Sequence, residues 1–248
     1  MSDMKILTLD IETAPNLVYV WGLWNQNIYI DAIVEPTYML SWAAKWHGKK
    51  KVYYRNCYDD DFLTLIYDMI EEADALITWN GISFDNKHLN REFVQANMPP
   101  PFVAKDIDLL RTVRTQFKFP SNKLDYVAEV LLGEKKIKTE YSLWLDCMNG
   151  VKSAWTKMKK YNKRDVVLTE KMYDRLLPWI KGHPNCGLYV KDQENPICRN
   201  CGSDHVQSRG ESRTNVRSYQ RYKCMDCGWN GRGRQMIRGG KKSPHILT

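Results

Sequence analysis

The sequence lacks any long hydrophobic run, although 43% of its 248 residues are hydrophobic and 12% are aromatic. A membrane-spanning helix needs about 20 consecutive apolar residues, and no segment approaches that length. Residues 1–5 do not begin a signal peptide of the usual charged-then-apolar form. We therefore expect a globular protein of the cytoplasm with no membrane association.

A disulfide framework is not expected, because the seven cysteines are odd in number, four of them are paired in spacing, and no secretion signal precedes them. Cys57 and Cys147 are predicted to be small core residues. Four others form two CxxC pairs, each followed by glycine: Cys198, Cys201, Cys224 and Cys227. Two such pairs resemble a zinc ribbon, in which four thiolates close a tetrahedral site. Because that site has no open position, the predicted Zn²⁺ is structural.

Acidic residues are scarce towards the C-terminus. Residues 191–248 hold 12 Lys/Arg against 5 Asp/Glu, a net charge of +7, whereas residues 1–190 carry only +1. This asymmetry favours a polyanionic partner such as nucleic acid, although a solvated basic tail would also explain it. Arginines alternate with aromatic residues here, and Arg217, Arg221 and Trp229 are predicted substrate-binding residues. Docking to a protein is the alternative.

The sequence also lacks internal repeats and low-complexity tracts. Apolar patterns predict strands over 5–9, 38–47, 51–56 and 75–79, with one or two more within 16–33. They predict helices over 60–72 (capped by Asp59), 85–95, 107–117, 124–132 and 151–177. Strands followed by helices indicate an α/β fold with a mixed sheet. We expect three parts: a domain over 1–181, a linker rich in Gly, Pro and Asn over 182–196, and the ribbon with its basic tail over 197–248.

Four acidic residues lie where apolar strands or helices would carry them inward: Asp10, Glu12, Asp85 and Asp165. Asp10 and Glu12 are two residues apart on a predicted strand, so their side chains share one face. A buried carboxylate is costly unless a cation neutralises it, and a metal ion is a common partner. Each residue also has a simpler explanation: an exposed strand end for the pair, a helix cap for Asp85, and a surface position for Asp165.

In order, the motifs are DxE (Asp10, Glu12), NxxxFD (Asn80, Phe84, Asp85) and YxxxD (Tyr161, Asp165). This series resembles the DEDD superfamily of 3′–5′ exonucleases. The segment EEADALITWNGISFDNKHLNRE is similar to the second exonuclease motif of family B DNA polymerases and their stand-alone relatives. The segment KLDYVAEVLLGEKK is similar to the helix that lies between the second and third motifs. Tyrosine stands four residues before the last aspartate, and lysine instead of histidine stands five before it. The resemblance is therefore to the tyrosine type.

The resemblance covers about residues 4–177 and implies an RNase H-like fold, a mixed five-stranded sheet flanked by helices. The small β zinc ribbon would follow it. It also implies two Mg²⁺ or Mn²⁺ ions, with Asp10 contacting both ions. Glu12 and Asp165 would hold the ion that binds the attacking water, Asp85 would assist the second ion, and Tyr161 would orient the water. Asn80 and Phe84 would shape the substrate pocket, and packing in the core is the alternative for Phe84.

The activity implied is hydrolysis of phosphodiester bonds from the 3′ ends of single-stranded DNA, in DNA replication or repair. The compact arrangement is similar to exonucleases of bacteriophages, which predicts the cytoplasm of a bacterium or of a phage-infected host cell. A DNA polymerase or another replisome protein is a predicted partner. Two alternatives stay open: an RNA exonuclease on the same scaffold, and a nucleic-acid-binding or polymerase-recruiting accessory module.

Overall fold

The central strand, β1 (Ile6–Thr13), alternates apolar and polar side chains. Because successive side chains of a strand point to opposite faces, the apolar residues Leu7 and Ile11 share one face. Asp10 and Glu12 share the other face. The strand therefore joins a hydrophobic core on one side to an acidic surface on the other.

The computed structural model describes residues 3–102, 105–191 and 195–239. The chain forms two compact units, one from Lys5–Tyr173 and one from Met1–Met4 with Asp174–Thr248. Residues 192–194 of the predicted linker and 240–248 of the predicted basic tail lie outside the described residues. The three predicted domain ranges stay predictions.

Five strands form a mixed sheet in the first unit. β4 (Met39–Trp46) runs antiparallel to β1, and β6 (Ala75–Thr78) runs parallel to it. β5 (Tyr53–Asn56) and β7 (Lys105–Asp108) form the two edges, so the order is β5-β4-β1-β6-β7. The predicted mixed five-stranded sheet is confirmed.

Helices cover both faces of this sheet. Ile66 and Ile70 of the helix Phe62–Glu72 pack against the face of the sheet that carries Leu7. Leu89 and Phe93 of the helix Asp85–Gln95 join the same cluster, and all five residues are buried. None of the described helices combines the length and apolar character that crossing a bilayer requires. The α-helices of the described residues are α1 (Phe62–Glu72), α2 (Asp85–Gln95), α3 (Leu109–Gln116), α4 (Leu124–Leu132), α5 (Ser142–Met148) and α6 (Lys152–Leu176).

The long helix α6 covers the face of the sheet that carries the acids. Asn162, Val166 and Glu170 are spaced four residues apart, so they share one side of this helix. Val166 packs in a buried cluster with Ala43 of β4, and Glu170 forms a buried ion pair with Lys45 of the same strand. These contacts determine where along the sheet the rest of α6 lies.

The second unit contains the C-terminal sheet. β8 (Val206–Arg213), β9 (Arg217–Cys224) and β10 (Asn230–Gly239) pair antiparallel in the order β10-β9-β8. This arrangement confirms the small C-terminal β structure. The predicted linker, where it is described, contains a 3-10 helix over Cys186–Tyr189 with Cys186 buried.

The predicted helix over 107–117 begins too early. Ile107 pairs with Ile77 as part of β7, and helix α3 begins only after Asp108, whose Oδ1 accepts a hydrogen bond from the Arg111 amide at 3.2 Å. A strand of four residues is too short for its period to be distinguished from the helix that follows. α5 was not predicted at all.

Two further local predictions are corrected. Asp59 does not cap α1 with its side chain, because its Oδ2 accepts a hydrogen bond from the Asn56 amide at 2.8 Å. Strand pairing within 16–33 is confined to the short β2 (Leu17–Val18) and β3 (Ile33–Glu35). The intervening aromatic and aliphatic residues are largely exposed, so their alternation does not reflect a buried face.

Candidate functional site

Three carboxylates converge on the acidic face of the sheet. Asp10 and Glu12 project from β1, Asp165 projects from α6, and their oxygens lie within 4.8 Å of one another. Asp165 is completely buried. Carboxylate oxygens are the ligands that Mg²⁺ and Mn²⁺ prefer, so this donor set fits a divalent ion.

Asp85 approaches the same strand from α2. It lies in the first turn of the helix and is 4% exposed, and its Oδ1 accepts a hydrogen bond from the Ile11 amide at 3.2 Å. It is not one of the three residues whose oxygens lie within 4.8 Å. Phe84, without a side-chain hydrogen bond, occupies the cap position of α2. Asp85 is thus held beside the acidic pair and does not act as a helix cap.

The turn before α2 is tightly built. Asn80 has a positive φ of 78°, and its backbone N–H donates a hydrogen bond to Asp108 Oδ1 at 3.1 Å. A Cβ atom on Gly81 would lie 2.2 Å from Thr78 Oγ1, so only glycine fits there. Phe84 at the end of this turn is 38% exposed and its ring centroid lies 4.6 Å from that of His88. Phe84 is therefore not a core residue.

Tyr161 lies one turn before Asp165 on α6 and is 8% exposed. Its ring meets Trp144 of α5 edge to face, with centroids 5.8 Å apart. The Trp144 indole also donates a hydrogen bond from Nε1 to Glu12 Oε2 at 3.1 Å. Trp144 thus contacts both a candidate metal ligand and the tyrosine, and it was not identified from the sequence because α5 was missed.

Asn162 is a second residue that sequence reasoning missed. Its Nδ2 donates to Asp10 Oδ2 at 2.6 Å, and the residue is fully buried. The signal was its place directly after Tyr161, on the side of α6 that also carries Val166. A buried amide is costly without partners, so an asparagine at this position indicates a polar contact.

Lys136 supplies a positive charge to the carboxylates. Its Nζ lies 2.5 Å from Asp165 Oδ2 and 5.1 Å from the centroid of the Tyr161 ring. Lys136 lies in a lysine-rich loop over 135–138, and no lysine of this loop is among the predicted site residues. Nothing in that loop's composition distinguishes this lysine from its neighbours, because the contact depends on where α6 places Asp165.

Burial and mutual repulsion raise the pKa values of these four carboxyl groups. Burial, with repulsion from Glu12 and Asp165, raises the pKa of Asp10 well above its ordinary value. Burial raises the pKa of Glu12 to about 8, although Lys136 opposes the shift. Burial raises the pKa of Asp85 to about 7 and also raises that of Asp165. A site with such shifts favours a bound cation, which would stabilise the ionised forms.

Four thiols converge at the base of the C-terminal sheet. The Sγ atoms of Cys198 and Cys227 are 3.6 Å apart, as are those of Cys201 and Cys224, and all four lie within 4.8 Å. Zinc–sulfur bonds of about 2.3 Å in a tetrahedron place the sulfurs about 3.8 Å apart. The cluster therefore fits a zinc ribbon.

Each of the two CxxC segments forms a turn that is closed by a glycine with positive φ. Gly202 and Gly228 have φ values of 75° and 80°, and their amides donate to the carbonyls of Cys198 and Cys224. Hydrogen bonds from Cys201 and Cys227 lower the pKa of the Cys198 thiol to about 4. Hydrogen bonds with Cys198 and Cys201 raise the pKa of the Cys227 thiol, and burial raises it further. A thiolate forms readily here, as metal binding requires.

The structure separates the three predicted substrate-binding residues of the ribbon. Trp229 lines a cleft beside β10, whereas neither Arg217 nor Arg221 lines it. Arg221 instead donates from Nε to the Arg209 carbonyl at 2.9 Å. The arginines that do line the cleft are Arg199, Arg232 and Arg234, and none of them is among the predicted substrate-binding residues.

This mixed sheet, with acidic residues on its central strand and on a helix packed across it, defines an α/β protein of the RNase H type. The chain belongs to the RNase H superfamily, whose family model matches residues 7–177. This membership supports metal-dependent nuclease activity.

Two other comparisons bear on the chain. The family B DNA polymerase of the hyperthermophilic archaeon Pyrobaculum calidifontis is similar in structure, with a TM-score of 0.54 and 17% identity over 71% of this chain. The match covers 25% of the polymerase, so this chain spans about a quarter of its length, and the likeness concerns the fold alone. No curated protein matches the sequence.

Proposed function

We propose that the protein is a two-metal-dependent exonuclease that removes nucleoside 5′-monophosphates from the 3′ ends of single-stranded DNA. The observation that carries the proposal is the convergence of Asp10, Glu12 and Asp165 within 4.8 Å on the acidic face of the sheet. Membership in the RNase H superfamily supports a nuclease, and the tyrosine-type motifs support the 3′–5′ direction.

Asp10, Glu12, Asp85 and Asp165 would hold Mg²⁺ or Mn²⁺, and the ions, when bound, supply Lewis-acid activation and charge neutralisation at the phosphate. Tyr161 has the position to orient water from its place one turn before Asp165. Because burial raises its pKa further above the ordinary value, the phenol stays protonated at neutral pH. Tyr161 therefore donates a hydrogen bond and does not act as a general base.

Asn80 and Phe84 are proposed to contact the substrate beside the acids. The exposed ring of Phe84 offers a face for stacking on a base. The likeness in fold to a DNA polymerase favours DNA as the substrate and replication as the setting. An RNA exonuclease is the second candidate, since the acidic motifs do not distinguish ribose from deoxyribose.

The test is digestion of 5′-labelled single strands with Mn²⁺ by the wild type and by Asp10→Ala. We expect the wild type to shorten strands with free 3′ ends and to spare blocked ones. Metal ions contribute several kcal/mol to such reactions, so the variant should lose about 10³-fold or more in rate. Parallel DNA and RNA strands compare the two candidates. A wild type that binds strands without cutting them would favour the accessory-module alternative.

A further inference from the structure

The ribbon carries a cleft that the acidic site does not explain. It has a volume of about 1240 Å³ and lies against β9 and β10. Its third wall comes from the segments around Asn185 and Pro196. Three aromatic and three arginine residues line it, with no acidic residue among the described lining: Tyr219, Tyr222, Trp229, Arg199, Arg232 and Arg234.

Beside the cleft, β10 carries extra residues relative to its partner strand. Arg232 pairs with Arg221 and Met236 pairs with Tyr219, so 233–235 stand opposite only Gln220. Such a bulge bends a strand away from its partner and redirects its side chains. Bulges are often found next to binding sites.

Two glycines on β10 make room for the aromatic rings. A Cβ atom on Gly231 would lie 1.7 Å from the ring of Trp229, and one on Gly233 would lie 3.3 Å from the ring of Tyr222. Gly231 and Gly233 are two residues apart, and each admits a ring close to the strand backbone. Both rings remain partly exposed, so each has a surface available for stacking.

Two of the three arginines of the cleft are available for a ligand, whereas Arg199 donates a hydrogen bond to the His183 carbonyl at 2.7 Å. Arg232 and Arg234 are exposed, and neither forms an ion pair with a carboxylate in the part of the chain that the structure describes. Arg232 lies over the Tyr219 ring, 4.2 Å from its centroid, which holds the guanidinium at the cleft wall. By contrast, Arg213 and Arg238 lie 3.6 and 3.2 Å from Glu211.

We infer that this cleft binds single-stranded nucleic acid, with bases stacked on Trp229 and Tyr222 and phosphates paired with Arg232 and Arg234. Aromatic faces beside a positively charged groove are how proteins hold single strands without reading their sequence. The inference deepens the proposed function, on which it rests for the choice of ligand. An acidic protein segment would use the arginines but would not explain why two aromatic rings beside them are partly exposed.

The first test measures binding by the full chain without added Mg²⁺ or Mn²⁺, from the fluorescence anisotropy of a 5′-labelled 20-nucleotide oligothymidylate. Arg232→Gln with Arg234→Gln should raise the Kd about tenfold or more. It should also reduce the slope of log K against log salt by about 1.4, since each single-strand phosphate contact contributes about 0.7. An oligouridylate arm compares the two sugars, and binding of either strand supports the inference.

The matched control is Arg213→Gln with Arg238→Gln, which removes the same charge from the same sheet outside the cleft. We expect its Kd to stay within about threefold of wild type. An equal loss in both double variants would show that net charge alone drives binding and would overturn the inference. Equally tight binding of a labelled oligoglutamate would overturn it as well.

The second test locates the bases without relying on a variant that must fold. An oligonucleotide carrying 5-iodouracil is irradiated with the wild-type protein, and the crosslinked peptide is identified by mass spectrometry. Crosslinks at Trp229 or Tyr222 are expected, and crosslinks confined to residues outside the cleft would contradict the inference.

Tyr222→Leu should raise the Kd about fivefold or more, since stacking contributes about 1–3 kcal/mol per base.

Failure of the inference is distinguishable from failure of the proposed function. Hydrolysis of the p-nitrophenyl ester of thymidine 5′-monophosphate by the wild type with Mn²⁺ reports on the acidic site alone. If the wild type hydrolyses it and both arginine variants bind alike, only the inference about the cleft fails. If the wild type is inert on every phosphodiester yet crosslinks through Trp229, the exonuclease proposal fails and the cleft stands as a binding site.

Discussion

At the scale of single residues, the acidic site depends on neighbours that are not metal ligands themselves. Trp144 donates to Glu12, Asn162 donates to Asp10, and the Ile11 amide donates to Asp85. Hydrogen bonds of this kind orient ligands and tune their basicity. The carboxylates are therefore held in place before any ion binds.

Trp144→Phe removes one of these donors and keeps an aromatic ring against Tyr161. Loss of such a partner typically costs about 10–100-fold in metal affinity or activity. We expect the Mn²⁺ concentration for half-maximal nuclease activity to rise about tenfold or more. Trp155→Phe is the matched control, since its indole nitrogen has no hydrogen-bond partner among the described residues. Equal effects of the two substitutions would refute a positioning role for Trp144.

The raised pKa of Glu12 predicts a pH dependence for the metal-free protein. The folded state keeps a proton up to about pH 8, whereas the ordinary pKa is 4.5. The folded protein therefore binds more protons than the unfolded chain between these values, and its stability falls as pH rises through this range. Its Tm should drop by several degrees from pH 5 to pH 8, because about 1 kcal/mol shifts the Tm by about 2–4 °C in proteins of this size.

Glu12→Gln tests this assignment, since glutamine has no charge to lose. Its Tm should fall less than that of the wild type over the same pH range. Asp10, Asp85 and Asp165 have pKa values shifted in the same direction, so part of the dependence should remain. An unchanged dependence in the variant would assign the effect to the aspartates alone.

At the scale of elements, α6 controls the geometry of the site. Ser41 on β4 donates to Asn162 Oδ1 at 3.3 Å, so the helix is anchored near its middle. Glu170 anchors it two turns further on, by pairing with Lys45 and accepting from the Gly48 amide at 3.0 Å. Asp165 lies between these anchors, so its position beside β1 follows from theirs.

Glu170→Gln leaves Lys45 as a buried charge without its partner. Breaking a buried pair typically costs about 3–5 kcal/mol, and the side chains of Lys45 and Glu170 are only 9% and 11% exposed. We expect a loss of this size in the free energy of unfolding from urea denaturation. Glu72→Gln is the control, because the Lys5–Glu72 pair is 56% and 54% exposed and exposed pairs contribute little to stability.

How far the sequence predicts the structure also differs by element. Residues 85–95 and 124–132 follow helical periodicity closely, and the structure has helices with those bounds. β7 was missed because its four residues run directly into α3. Periodicity cannot separate such a short strand from the helix beside it.

Motifs in the sequence identify the candidate metal ligands, whereas the residues that contact these ligands carry no such motif. Asp10, Glu12 and Asp165 stand in recognisable spacings. Lys136 and Trp144 reach the site only through contacts between distant elements, and neither has a distinctive local pattern. Such contacts depend on tertiary packing, which sequence spacing does not specify.

At the scale of the whole molecule, the excess positive charge and the carboxylate cluster lie in different parts of the chain. The net charge of +7 lies in residues 191–248, whereas the carboxylate cluster lies within Lys5–Tyr173. Salt should therefore act mainly on binding of long strands, since it screens phosphate contacts. Turnover at saturating substrate should respond less.

The ribbon should depend on its metal for folding. Small domains with few buried apolar residues are often unfolded without structural zinc. Cys201→Ser with Cys224→Ser should reduce bound zinc from one ion per chain to none and expose β8–β10 to limited proteolysis. A fragment near Lys5–Tyr173 should resist digestion. Protection of β8–β10 in the metal-free variant would show that the sheet is stable by itself.

Lys136 has a consequence for how the protein matures. A cluster of buried acids normally opposes folding until an ion arrives, because like charges repel in a poorly solvated space. Here the ammonium group of Lys136 lies against Asp165. Burial would lower the pKa of Lys136, but the carboxylates of Asp165 and Asp10 raise it. We therefore expect the unit Lys5–Tyr173 of a newly made chain to fold without a divalent ion at the acidic site.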